Sequence, residues 1–260
     1  MTTVPEELLT TVVGTGDPVV LVAGSGSGPD SWTAVAAVLA GEFEVWSFVR
    51  RAYGGGPPER APRTFAAEVA DLRAVLGAVG RPAHVVGASL GATLALHTAR
   101  HDPTDIRSLV LFEPPLLLAG PQIADAAVRH HELVAAGEYR AAGLLVAREV
   151  LHAPPFLVDA LAQAPEPEPG EAAREARGWE ADLAQLADDD RDVTRWSAIT
   201  LPTLILQGGR TWSPVPEGVE ALARALPHAE RVTWPDESHF VTATAPGLFA
   251  AAVAEFARRH

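Results

Sequence analysis

The fold is decided by the stretch His84-Val85-Val86-Gly87-Ala88-Ser89-Leu90-Gly91, which the apolar segment 92–99 follows at once. An apolar run leads into a turn in which a serine stands between two glycines, and a helical pattern comes next. Small neighbours let the backbone bend tightly, so the hydroxyl projects above the edge of a sheet. The stretch therefore predicts a strand, a sharp turn and a helix, with Ser89 as a candidate nucleophile. The plainer alternative is a glycine-rich turn that carries a surface serine.

Short apolar runs alternate with longer helical patterns over most of the chain. The expected strands are 19–22, 45–49, 84–86, 106–112, 204–206 and 231–234. The expected helices are 31–40, 64–79, 90–101, 217–226 and 246–258. Strands that are apolar throughout, each followed by an amphipathic helix, predict a mostly parallel central sheet flanked by helices, which is an α/β fold.

Strand patterns stop between residues 116 and 199. Helical patterns occur there near 121–136, 139–151, 156–163 and 171–187. This all-helical insertion divides the chain into a core of residues 1–115 and 200–260 and a helical cap of residues 116–199. Within the cap, residues 164–170 carry three prolines and a glycine, and we expect an extended, mobile connection there.

The composition excludes several kinds of chemistry. The 260 residues include no cysteine and no lysine, so disulfides, thiolate metal sites, a cysteine nucleophile and a Schiff-base lysine are excluded. A net charge of -13 argues against nucleic acid and anionic membranes as partners. No apolar stretch approaches the roughly 20 residues of a membrane span, and no signal segment opens the chain. We expect a cytoplasmic protein with a small-molecule substrate, and a homodimer is compatible with the sequence.

A serine nucleophile needs a base, and His239 is the best placed of the nine histidines. It stands in Pro235-Asp236-Glu237-Ser238-His239-Phe240, after the last expected strand and before the final helix. A loop at the carboxyl end of a strand faces the same edge of the sheet as the Ser89 turn. His239 is therefore the predicted base, and an exposed loop histidine is the alternative.

These features together resemble the α/β-hydrolases, with the nucleophile elbow at Ser89, the late His239 and a helical cap in the usual place. The resemblance covers nearly the whole chain. It includes Val20-Leu21-Val22-Ala23-Gly24-Ser25, which is similar to the family's first strand and oxyanion loop, and the turn 51–54. It implies that the Ser25 amide is a second oxyanion donor beside the Leu90 amide, and it implies no metal or cofactor.

Three positions depart from the family's pattern. Ala23 stands where the family commonly has a histidine before the oxyanion glycine, and Val49 replaces a common aspartate. Thr211 falls where the family normally places the aspartate of the triad. Threonine cannot stabilise an imidazolium as a carboxylate does, so the acid of this chain has to come from elsewhere.

Glu113 is the candidate replacement for that acid. The resemblance offers a second location at the end of the strand after the nucleophile helix, where this chain reads Val110-Leu111-Phe112-Glu113-Pro114-Pro115. A carboxylate at the tip of a buried strand needs a partner, and we expect it to orient His239. Two alternatives stay open: a Ser89–His239 dyad without a carboxylate, or another acid such as Asp236.

Other residues near the expected site have two interpretations each. Gly24, Trp32 and Trp212 are candidate substrate contacts, although the tryptophans are equally suited to core packing. The glycines of residues 24–28 do not have the spacing of a dinucleotide loop. His97 and His101 share a helix face but have no third ligand in view, so we expect no metal.

The sequence thus predicts a serine hydrolase that cleaves a small or medium apolar ester, thioester or lactone through an acyl enzyme, with Ser89, His239 and Glu113 as its triad. A first alternative is a cyclase, lyase or C–C hydrolase that uses the same serine and histidine on a specialised metabolite. A second is a ligand-binding protein on a hydrolase fold.

Overall fold

The computed structural model describes residues 8–28, 30–54, 63–165, 167–226 and 228–260. One seven-stranded sheet crosses these residues in the order β1-β3-β2-β4-β5-β6-β7. Its strands are β1 (Thr10–Val13), β2 (Asp17–Val22), β3 (Phe43–Phe48), β4 (Ala83–Ala88), β5 (Ile106–Phe112), β6 (Thr203–Gly208) and β7 (Glu230–Trp234). Strand β1 is antiparallel to β3, and the other neighbouring strands are parallel. The predicted α/β fold with a mostly parallel sheet is confirmed.

Helices cover both faces of the sheet and fill the insertion. They are α1 (Thr33–Leu39), α2 (Phe65–Val79), α3 (Leu90–His101), α4 (Ala124–Ala135), α5 (Tyr139–Leu145), α6 (Pro155–Gln163), α7 (Pro169–Asp188), α8 (Val215–Ala225), α9 (Val241–Thr244) and α10 (Pro246–Ala257). Alternate residues of β2 point to opposite faces: Val20 and Val22 join the core under α2, α3 and α8, whereas Val19 and Leu21 join the core under α1 and α10. The sheet is therefore buried on both sides, as its continuous apolar strands predicted.

Two short elements were not expected from the sequence. Strand β1 lies at the edge of the sheet, where Thr11, Val12 and Val13 are exposed, so it lacks the apolar run that marks the buried strands. Helix α9 is a single turn that precedes α10, too short to show a helical period.

The insertion between β5 and β6 contains α4 to α7, which agrees with the predicted all-helical segment. Helix α5 continues into one π-helical turn at Val146–Val150 instead of running as a single helix to residue 151. The expected extended connection 164–170 ends earlier than predicted, because α7 already begins at Pro169. Proline is tolerated in the first turn of a helix, because a backbone N–H at that position would have no acceptor within the helix. The division into core and cap stays a prediction.

Candidate active site

Ser89 occupies the turn between β4 and α3 with φ 52° and ψ −126°. A positive φ is strained for a residue with a side chain, and strain of this kind is common at functional sites. A Cβ at Gly87 would lie 2.5 Å from the Gly91 carbonyl oxygen, and a Cβ at Gly91 would overlap the Val22 carbonyl. The two glycines are therefore required for this tight turn. The Ser89 N–H donates to the Phe112 carbonyl at 2.8 Å, which ties the turn to the end of β5.

The loop after β2 passes directly beside this turn. A Cβ at Gly24 would lie 2.9 Å from both the Ala88 carbonyl oxygen and the Ser89 Cβ, so glycine is needed for such a close approach. Ser25 follows in the loop and is half-buried. The Leu90 N–H is the first of α3 and has no acceptor within the helix, at an end that favours negative charge. The oxyanion role of the Ser25 and Leu90 amides stays a prediction.

Glu113 follows β5 directly, adopts a positive φ of 47° and is fully buried, with 0% of its surface exposed. Its Oε1 accepts hydrogen bonds from the Gly208 N–H and from the Thr211 hydroxyl, both at 2.7 Å. Its Oε2 lies 2.6 Å from His239 Nδ1. A buried carboxylate is stable only with such partners, and each of its oxygens has one or more here.

His239 lies at the same edge of the sheet as Ser89. Its ring stacks on Phe112 with centroids 5.8 Å apart and meets the Trp212 ring edge-on at 6.1 Å. About a fifth of the side chain is open, with 22% exposed. Since Glu113 contacts Nδ1, that nitrogen carries the proton in the neutral ring, and Nε2 is free to accept one. No hydrogen bond joins His239 to the Ser89 hydroxyl in the described chain, which is common in structures without substrate.

Thr211 occupies the position where the resemblance placed an aspartate. Its side chain contacts Glu113 instead of His239, so the threonine supports the buried carboxylate. Asp236, the other candidate acid, is 86% exposed and pairs with Arg210 at 2.8 Å. Among the described residues, Glu113 is thus the carboxylate that contacts the His239 ring.

The two candidate tryptophans have different surroundings. Trp32 is 4% exposed and packs on Phe249 with ring centroids 5.8 Å apart, which is the core-packing interpretation of this residue. It has little surface left for a substrate. Trp212 is half-buried, and its indole N–H donates to the Leu151 carbonyl at 2.8 Å, so it links the loop after β6 to the cap beside His239. Its contact with substrate stays a prediction.

A buried ionic cluster lies beside the loop after β2, and none of the sequence patterns predicted it. Arg50 contacts Glu68 of α2 at 3.3 Å and Asp182 of α7 at 3.2 Å, and the Tyr53 hydroxyl donates to Asp182 at 2.7 Å. Burial acts to raise the pKa of Glu68, but the positive charges of Arg50 and Arg63 outweigh burial and lower that pKa. Burial and then Asp182 raise the pKa of Tyr53, while Arg50 and, after it, the Gly26 backbone oppose the rise. The cluster therefore joins α7 of the insertion to α2 and to the segment after β3.

Two further features concern cofactors and membranes. In the described ranges, no group of three or more histidine, aspartate or glutamate side chains could hold a metal ion. The described helices include none that is long and apolar enough to cross a membrane.

His97 stacks on Phe65 at 4.3 Å and contacts Asp189 at 3.3 Å, so it takes part in packing between helices.

Ser89, Glu113 and His239 all follow strands at the carboxyl edge of the mostly parallel sheet, and Glu113 contacts His239, an arrangement typical of α/β-hydrolases. The sequence profile of the alpha/beta hydrolase family matches residues 19–252. The chain belongs to this family, and hydrolysis is the class of activity that this membership gives it.

Known relatives agree with this assignment. The chain is similar to the crystal structure of an alpha/beta hydrolase from Sphaerobacter thermophilus, with 30% identity, a TM-score of 0.80, and 96% of this chain and 95% of that chain covered. A thermophilic esterase from Thermogutta terrifontis is 25% identical with a TM-score of 0.73, over 97% of this chain and 93% of that chain. The "Putative carbamate hydrolase RutD" of Azorhizobium caulinodans is 30% identical over 99 residues. That match spans 38% of this chain and 37% of the relative's length.

Proposed function

We propose that this protein is a carboxylic ester hydrolase in which Ser89, His239 and Glu113 act as a triad. The observation that carries the proposal is the fully buried Glu113 carboxylate, 2.6 Å from His239 Nδ1 and at the same sheet edge as the strained Ser89 turn. A carboxylate in this place holds the imidazole in the tautomer whose Nε2 accepts a proton, and stabilises the imidazolium that results.

In the proposed reaction, His239 Nε2 takes the proton from the Ser89 hydroxyl while the serine oxygen forms a bond to the carbonyl carbon. The carbonyl electron pair moves onto oxygen, where the amides of Ser25 and Leu90 donate hydrogen bonds. The electron pair returns, the bond to the alcohol oxygen breaks, and the imidazolium protonates the leaving alcohol. Water then attacks the acyl group by the same route and releases the acid and the free serine.

Several observations support a small or medium apolar ester, thioester or lactone as substrate. The side chains around His239 are aromatic, with Phe112 stacked on one side and Trp212 at its edge. The similar protein from Thermogutta terrifontis is an esterase, and its structure matches 97% of this chain. An apolar surround lowers the local dielectric, which strengthens the charge interactions of the tetrahedral intermediate.

The test is hydrolysis of p-nitrophenyl butyrate by the wild type and by the variants Ser89→Ala and His239→Ala, in parallel with labelling by a fluorophosphonate. We expect both variants to lose activity by about 10³-fold or more, and Ser89→Ala to lose the label. Ser197→Ala, which changes an exposed serine of the turn Val193–Ala198, is the matched control and keeps both properties. Labelling of Ser89 without turnover of any ester would favour the cyclase or lyase alternative. Neither labelling nor turnover would favour the ligand-binding alternative.

A further inference from the structure

Two aromatic side chains, Trp212 and Phe240, form a group of three rings with the imidazole of His239. The ring centroids of Trp212 and His239 are 6.1 Å apart, and the Phe240 centroid lies 6.2 Å from each of the other two. Phe240 is 46% exposed and Trp212 is half-buried, so both rings have surface that a bound molecule can contact. The reaction described above gives Phe240 no part. The pair nevertheless presents an aromatic surface next to the proposed base.

Hydrogen bonds of the surrounding chain hold the pair in place. The Trp212 indole N–H donates to the Leu151 carbonyl at 2.8 Å. Phe240 directly precedes α9, and its carbonyl accepts hydrogen bonds from the Ala243 and Thr244 N–H groups, both at 2.9 Å. Groups that are already held in position lose little freedom when a ligand binds, so more of the contact energy appears as affinity. The two rings are therefore suited to bind a substrate group.

The proposed reaction places the alcohol part of the ester beside these rings. His239 protonates the leaving oxygen, which therefore lies about 2.6–3.2 Å from its Nε2. Phe112 stacks on the imidazole and Glu113 contacts the Nδ1 edge, so the alcohol approaches from the remaining side. The acyl carbonyl points instead to the oxyanion amides. The alcohol part is thus the part of the substrate that Trp212 and Phe240 can contact.

We propose that Trp212 and Phe240 form a subsite for an uncharged aromatic ring on the alcohol part, so that the preferred substrates are aryl or benzyl esters. This inference rests on the proposed ester hydrolase function and specifies its substrate class. Aromatic rings attract a further ring in edge-to-face or offset-stacked geometry, which strengthens binding about two- to tenfold beyond the effect of buried area. A saturated ring of the same size lacks this attraction. Because nearly half of Phe240 is exposed, the subsite is open, and the alcohol can depart once the ester bond breaks.

The test compares benzyl butyrate with cyclohexylmethyl butyrate, two esters that share the acyl group and differ in whether the ring of the alcohol is aromatic. The measure is the ratio of the two kcat/KM values, each divided by the rate constant of hydroxide-catalysed hydrolysis to remove differences in leaving-group reactivity. This ratio does not depend on the fraction of folded protein. We expect the wild type to prefer the benzyl ester about tenfold, and Phe240→Leu to lower the preference to about two- or threefold. Phe156→Leu, which changes an exposed phenylalanine of α6, is the matched control and keeps the wild-type ratio.

A second pair of esters tests whether the subsite belongs to the alcohol part. Methyl 3-phenylpropanoate and methyl 3-cyclohexylpropanoate carry the aromatic and the saturated ring on the acyl part. We expect Phe240→Leu to change the ratio of their kcat/KM values by less than about twofold. A larger change for this pair than for the benzyl pair would overturn the inference, because the rings would then contact the acyl chain. An unchanged benzyl preference in Phe240→Leu would overturn it as well.

Failure of this inference is distinguishable from failure of the proposed function. If the wild type hydrolyses these esters through Ser89 without preferring the benzyl ester, the subsite is wrong, although the hydrolase proposal stands. Nuclear magnetic resonance tests the subsite without turnover, through titration of the Trp212 indole N–H signal with benzyl alcohol and with cyclohexylmethanol. The signal is assigned by its loss in Trp212→Phe. We expect benzyl alcohol to shift it and to bind several-fold more tightly, with the difference lost in Phe240→Leu. Equal affinities, or no shift, would overturn the inference even if no ester is hydrolysed.

Discussion

Replacing Thr211 by valine removes one hydrogen bond from the buried carboxylate and changes little else. Thr211 is 9% exposed, and its hydroxyl is one of the two donors that Glu113 Oε1 accepts at 2.7 Å, the other being the Gly208 N–H. A hydrogen bond to a charged group contributes about 1.5–3 kcal/mol, so we expect the free energy of unfolding to fall by about 2 kcal/mol. Valine has nearly the same shape, which excludes a cavity as the cause.

The expected effect on catalysis is smaller. Thr211 contacts Glu113 on the oxygen that does not face His239, and this contact is the same before and during proton transfer. An interaction that is equal in the ground state and the transition state does not change kcat, so we expect a change within about threefold. Urea unfolding followed by circular dichroism and the hydrolysis of p-nitrophenyl butyrate measure the two effects. Thr211→Ser keeps the hydroxyl and is the control.

Two results would refute this reasoning. Unchanged stability in Thr211→Val would mean that the hydrogen bond to Glu113 contributes nothing to folding. A loss of kcat by about 10²-fold or more, restored by Thr211→Ser, would mean that the threonine hydroxyl acts on the reacting groups.

Three further predictions follow from other contacts. Burial lowers the pKa of His84 to about 4 from 6.5, so the unfolded chain takes up a proton before the folded protein does as the pH falls. Between about pH 7 and 4.5 the wild type loses about 1–2 kcal/mol by this linkage, after allowance for screening, and His84→Gln loses less in urea titrations. Asp182→Asn removes a negative charge that balances the buried positive charge of Arg50, so we expect the free energy of unfolding to fall by about 3 kcal/mol. An unchanged melting temperature would count against this prediction. Gly24→Ala pushes the oxyanion loop away from Ser89 and lowers kcat about 10²-fold with an unchanged circular dichroism spectrum.

Most of the strands and helices and the nucleophile turn could be predicted because their signals are local. Glycine on both sides of Ser89 and the apolar runs of the buried strands express short-range requirements of the backbone. The contact between Glu113 and His239 spans 126 residues, yet it could be predicted. The resemblance to the α/β-hydrolases implies a second location for the acid after β5, and both residues follow parallel strands whose carboxyl ends share one edge.

Contacts between residues far apart in the sequence could not be predicted where they depend on the direction in which a side chain points. Arg50 and Asp182 are 132 residues apart and belong to no repeating pattern, so nothing local marks their pairing. Trp32 follows the oxyanion loop, but only the path of the chain after that loop turns its ring into the core. Among the described residues, neither ring nitrogen of His130 has a hydrogen-bond partner. Its burial depends on how the helices of the insertion pack, which periodicity alone does not determine.

The most direct test of the triad is kcat for p-nitrophenyl butyrate in Glu113→Gln, measured with protein whose thermal unfolding is cooperative. Glutamine keeps the shape of the side chain but removes the charge that stabilises the imidazolium and can hold the ring in the wrong tautomer. The proposed triad predicts a loss of about 10³–10⁴-fold in kcat with a nearly unchanged KM. A kcat within about threefold of the wild type would contradict it and would leave Ser89 and His239 working as a dyad.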